Sequence, residues 1–156
     1  MIELHIPAVE ELWFKEKMLA DEQTMSYNYA YGGTIPFPKE KLEKWHDRWI
    51  VNHENKRFYR YIKENNTFLG ELACHFDEER DMYFVDVIVY APYRKKGYGC
   101  QALLILCEIA KNNGIEELYD EIASDNPSIK MFLKCGFTEV SRTGEYVLVR
   151  KNFSKR

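Results

Sequence analysis

The chain has 156 residues, 46% hydrophobic and 30% charged, which suits one globular domain with a single core and argues against disorder. Its formal charge of −3 comes from interspersed signs with no basic stripe, so nucleic acid is not an expected partner. The longest apolar run, near Leu103 to Cys107, is too short to cross a bilayer, and MIELHIPAVEELW carries acids where a secretion signal carries bases, so a cytoplasmic protein with no membrane partner is expected.

In chain order, residues 2–6 (IELHI) alternate as a half-buried strand does. Residues 8–20 read as a helix with Val9, Leu12 and Trp13 marking its faces. Residues 21–38 have no clear period and hold Tyr27, Tyr29 and Tyr31. A second helix begins near Pro38, with Leu42, Trp45 and Trp49 at helical spacing. Strands follow at 57–63 (RFYRYIK), 67–76 (TFLGELACHF) and 82–90 (MYFVDVIVY), the last β-branched and aromatic enough to be central. A helix over about 99–112 ends at Gly114, a strand covers 116–123, a short helix 127–135 stops at Gly136, and a hairpin turns near Thr143-Gly144. The expected fold is α+β, a single domain over 1–156. Its largely antiparallel sheet has about seven strands, flanked by about four helices.

Cys74, Cys100, Cys107 and Cys135 form no CxxC pair, and the four histidines supply no zinc spacing, so reduced buried thiols and no metal are expected.

The chemistry concentrates where the strand ending at Tyr90 runs into RKKGYG and then a helix. Such a turn points backbone N–H groups and the positive helix end at one spot, as an anion requires. Gly97 and Gly99 allow close backbone approach, while Arg94, Lys95 and Lys96 add cations, so pyrophosphate is a fitting occupant. Neither G-x-G-x-x-G nor G-x-x-x-x-G-K-[ST] is present, and Cys100-Gln101 after Gly99 disfavours a phosphotransfer enzyme. A basic surface turn that happens to contain two glycines is the plainer alternative.

The segment VIVYAPYRKKGYG (87–99) resembles the pyrophosphate motif of the GNAT superfamily of N-acetyltransferases, V-x-x-x-Y-R-x-x-G-x-G, and SDNPSIKMFLKCGF (124–137) resembles that family's next motif. The resemblance covers nearly the whole chain. It implies an acyltransferase moving an acetyl group from acetyl-CoA, as cosubstrate, to a primary amine of a small molecule or peptide by direct attack in a ternary complex. It also implies that the amides of Lys95, Lys96, Gly97, Tyr98, Gly99 and Cys100 hold pyrophosphate behind Arg94, and that Val87, Ile88 and Val89 pair with the pantetheine arm. Either Asp125 or Asn126 fills the slot of the family's Asn. Where many members carry a tyrosine that protonates the departing thiolate, this chain has Phe132, a core residue or pantetheine wall. The missing hydroxyl keeps a non-catalytic CoA-sensing module open as the alternative, and Tyr83 or Tyr98 could replace the acid.

On the acceptor side the favoured catalytic pair is Glu71, an acid amid apolar strand residues, with Tyr83, which lies eleven before Arg94, where the resemblance places a base in some members. Asp86 turns to the opposite face from Tyr83 and reads equally as a partner for a helix-borne cation. The tyrosines of 25–37 would serve as a lid offering aromatic faces to a cationic amine, or simply as packing. A homodimer stays open.

Overall fold

The computed structural model describes residues 1–28 and 32–154. Seven strands form one sheet: β1 (Glu3–His5), β2 (Arg57–Glu64), β3 (Thr67–Asp77), β4 (Met82–Val89), β5 (Glu117–Ala123), β6 (Thr138–Arg142) and β7 (Tyr146–Asn152), in the order β1-β2-β3-β4-β5-β7-β6. Every pairing is antiparallel except β4 with β5, which is parallel and registers only at Phe84↔Tyr119. Beyond that pair the two central strands part. The opening exposes one edge of Val87–Val89, and it is the feature on which the site depends.

Helices cover both faces. α3 (Tyr98–Asn112) and α4 (Ser128–Lys134) lie on one. Ala102, Leu103, Leu106, Cys107 and Ala110 recur at helical spacing and bury against Leu72, Val85, Leu118, Ile122, Val147 and Val149. α1 (Trp13–Ala20) and α2 (Leu42–His46) lie on the other, around Leu12, Phe14, Met18, Tyr59 and Tyr61. Among the described residues, no helix is long and apolar enough to cross a membrane.

The helix expected over 8–20 is split. Val9–Glu11 is a 3-10 turn, because the Glu11 carboxylate accepts the Ala8 N–H at 2.9 Å and meets His5 Nε2 at 2.8 Å. Trp13, expected to mark a face, is 54% exposed, and Leu12 is the buried neighbour. The second helix keeps its Leu42, Trp45 and Trp49 stripe but widens into a π-helical stretch at Asp47–Val51.

β3 and β4 approach so closely at Gly70 that a Cβ there would sit 2.3 Å from the Ile88 carbonyl oxygen. This contact holds the end of β4 against β3, while its other edge stays open.

Candidate active site

One cleft of about 1220 Å³ runs through the opening between β4 and β5. From the α3 side it is lined by Val87, Gly99, Cys100 and Met131; from the α1 side by Lys15, Phe37, Trp45, Glu71, Asp86 and Ile88. Cleft walls from both faces thus meet at the parted strands.

At the α3 end the chain forms an amide-rich turn. Lys95 and Gly97 both adopt left-handed backbone, with φ of 65° and 84°. Gly97 precedes the first residue of a helix of 15 residues, whose first-turn N–H groups have no intrahelical acceptors. Gly99 is buried, and a Cβ on it would lie 2.8 Å from Met131 Sδ and 3.4 Å from Val89 Cγ2. Its missing side chain lets α3 sit directly on β4. Lys95, Gly97, Tyr98, Gly99 and Cys100 line the cleft, as do Val87, Ile88, Val89 and Asn126. Lys130 and Lys134 add cations from α4. These residues fit a pyrophosphate followed by an extended amide-bearing arm: free amides, local positive charge, and an unpaired strand edge beside them.

Several expected site residues do other work. Arg94 lines the cleft, but its guanidinium donates to the carbonyls of Val89 at 3.2 Å, Gln23 at 3.1 Å and Thr24. It fastens the 21–28 segment to the end of β4, aided by Ala91 N–H donating to Thr24 Oγ1 at 3.0 Å. Lys96 is exposed and lies outside the cleft lining. The Tyr98 hydroxyl donates to Glu64 Oε1 at 3.0 Å, so its proton is already engaged. Asn126 Oδ1 accepts the Ser128 N–H at 2.9 Å, so this side chain orders the start of α4.

Phe132 is not a cleft wall. It is 1% exposed and packs edge-on against Phe137 at 5.0 Å, while Met131 faces the cleft in its place. A hydroxyl added there would be buried without a partner. Phe132→Tyr is therefore expected to cost ~1–3 kcal/mol in denaturant unfolding and to leave turnover no higher. A faster variant of undiminished stability would contradict this placement.

The Glu71–Tyr83 pair does not form. Glu71 registers with Ile88 and Ala73 with Asp86, so these four share one face. Tyr83, an odd number of residues from Ile88, points to the other face and packs against Phe76 at 5.0 Å. The acid on Glu71's face of β4 is Asp86. Its side chain lines the cleft and is exposed there, although protein packs densely around it. Burial, reinforced by the charge of Glu71, lifts its carboxyl to about 6, with Lys15 and the Val87 N–H acting in the opposite direction. Asp120, one residue past the Phe84↔Tyr119 pair on β5, is pushed well above the usual carboxylate range by burial and by Asp86.

Glu71 is 4% exposed, and its Oε1 receives both Lys15 Nζ at 2.9 Å and the Tyr59 hydroxyl at 2.5 Å. Burial and this carboxylate push the Tyr59 phenol well above its ordinary range. Lys15 Nζ also sits 4.8 Å from the ring centres of Trp45 and Tyr59 and 5.7 Å from that of Phe37. The sequence reading missed this box, although Leu12, Lys15 and Leu19 stand at helical spacing and would turn Lys15 inward. Of the proposed lid tyrosines, Tyr27 lines the cleft and is 41% exposed, whereas Tyr29 and Tyr31 lie outside the described residues.

Cys135 is buried with its thiol raised to about 12, first by burial and then by Cys100, whose Sγ is 2.8 Å away. Among the described residues, no group of three or more His, Cys, Asp or Glu could hold a metal ion.

The model of the Acetyltransferase (GNAT) family matches residues 16–137. The chain belongs to this family. A GNAT relative, the uncharacterized N-acetyltransferase YobR of Bacillus subtilis (strain 168), is 32% identical over 90 residues, 55% of this chain and 34% of the relative. The chain thus spans about a third of that relative's length. Among solved structures, the spermidine N-acetyltransferase of Vibrio cholerae in complex with CoA and spermine superposes with TM-score 0.82 at 15% identity, covering 99% of this chain and 96% of that one. The PaiA N-acetyltransferase of Thermoplasma acidophilum in complex with coenzyme A gives 0.72 at 17%, covering 98% and 99%. At these identities the likeness is one of fold: the mixed α+β GNAT fold with its seven-stranded sheet.

Proposed function

We propose that this GNAT protein is an acetyl-CoA-dependent N-acetyltransferase whose acceptor is a primary amine, with Asp86 as the base. One observation carries the reading. The amide-rich turn and the Asp86 carboxyl line the same cleft, on either side of the parted β4 and β5. Donor and acceptor can therefore meet without leaving it. The family match and the CoA-bound relatives of the same fold support the choice of donor.

Lys95, the α3 N-terminus and Lys130 would hold the donor's pyrophosphate, and the edge of Val87–Val89 would align its amide-bearing arm. Bound acetyl-CoA supplies an activated acyl carbon. An alkylammonium has no lone pair and a pKa near ~10, so it must lose a proton before attack. Asp86, anionic above pH 6 or so, accepts that proton directly or through one water. The amine nitrogen then bonds to the acyl carbon as the carbon–sulfur bond breaks. With the Thr24 and Tyr98 hydroxyls donating to Asp21 and Glu64, Ser26, Tyr27, Tyr93 and Ser128 are the other cleft-lining hydroxyls that could return a proton to sulfur.

Steady-state kinetics with both substrates varied tests direct transfer. Intersecting double-reciprocal lines are expected, since both substrates must be bound together. Parallel lines with a stable acetylated enzyme would replace this reading with a covalent one. Micromolar heat of binding with CoA but no turnover on any amine would favour the sensing module instead.

A further inference from the structure

We infer that Lys15 determines acceptor specificity: its ammonium fills the cation box of the acceptor site, so the enzyme takes monoamines and rejects diamines and polyamines. The inference rests on the reading of the cleft as an amine acetyltransferase site. An alkylammonium is recognised by a carboxylate at hydrogen-bond distance and by aromatic faces within ~6 Å. Both are assembled here from four separate parts of the chain: Phe37 before α2, Trp45 on α2, Tyr59 on β2 and Glu71 on β3. Their occupant is the chain's own Lys15, 2.9 Å from Glu71 Oε1, with its side chain 10% exposed at the cleft wall.

The consequence is a charge count. Among the described residues lining the cleft, the acids are Glu71 and Asp86. Lys15 compensates Glu71, which leaves Asp86 alone to attract the reacting ammonium. A second ammonium a few carbons away finds the box full and meets the Lys15 ammonium, where like charges repel. The body of the acceptor instead meets Leu19, Ile35 and Ile88, which favours an uncharged, apolar chain.

The test compares butylamine with putrescine and spermidine for the wild-type protein, Lys15→Met and Lys15→Arg. Wild type should favour butylamine in kcat/KM by ~10-fold or more, Lys15→Met should lower that preference by ~10-fold, and Lys15→Arg should keep it. Removing one member of a buried pair can unfold the protein. The double variant Lys15→Met with Glu71→Gln therefore removes both charges, and it too should lose the preference. Equal use of putrescine and butylamine by wild type overturns the inference, as does an unchanged preference in a folded double variant. If no amine is acetylated, the acetyltransferase reading fails separately. The inference is then read by calorimetry of the CoA complex: butylamine binding that exceeds putrescine in wild type but not in Lys15→Met supports it, and indifference to the substitution overturns it.

Discussion

Asp86→Asn should cut acetyl transfer by ~10²- to 10⁴-fold while making the protein more stable at neutral pH. Both effects come from one carboxyl. Its value in the fold, about 6, lies above the ordinary 3.8, so folding disfavours its charged form. The native state then binds the proton more tightly than the unfolded chain does, and stability falls as pH rises from about 3.8 through about 6. Asparagine removes the charge and with it that loss. The Tm of Asp86→Asn should match wild type near pH 3.8, rise above it through pH 6, and keep a small lead at higher pH, small because the carboxyl is exposed to solvent that screens its charge. Acetyl-CoA affinity should be little changed, since the amide cradle lies at the other end of the cleft. Under single-turnover conditions, wild-type rates should also lose an inflection near pH 6 when Asp86 is replaced. A variant that is slow but less stable, with the inflection intact, would remove Asp86 as the base.

Gly97→Val should weaken CoA and acetyl-CoA binding by ~100-fold or more, with only a modest fall in Tm. Space is not the reason, because a Cβ on Gly97 would meet only Gln101 Nε2, at 3.8 Å. The reason is φ of 84°. A β-branched residue in left-handed backbone costs ~1–2 kcal/mol or more, and the turn escapes that cost by rotating its amides away from the anion. Gly97→Ala should fall between the two. Calorimetry separates this from global damage, since α3 and its buried stripe remain packed. Wild-type affinity in Gly97→Val would put the cradle somewhere else.

The amide-rich turn at the α3 end was readable in the sequence because it is local. Strand, turn and helix are contiguous, and Gly97, Gly99 and the helix start carry their geometry in their own residue types. The order of elements was readable for the same reason. The acceptor end was not, because it depends on register. A one-residue difference in pairing reverses a side chain's face, and the Ile88 row puts Glu71 with Asp86 and turns Tyr83 away. Glu71 is engaged because Lys15 and Tyr59 already share its oxygen, and the Lys15 contact spans 56 residues of chain that no local pattern encodes. Phe132 was correctly seen to lack a hydroxyl, yet helix phase decided what lined the cleft. Met131, one residue earlier, faces it.

If donor and acceptor react within one cleft, thiol release and amine acetylation must be coupled. Mixing the purified protein with acetyl-CoA and butylamine, and following free thiol and N-acetylbutylamine together, tests it most directly. Thiol release should require the amine, match the acetylated product mole for mole, and be nearly abolished in Asp86→Asn. Tight acetyl-CoA binding with no amine-dependent thiol release, across aliphatic and aromatic monoamines at alkaline pH, would contradict it.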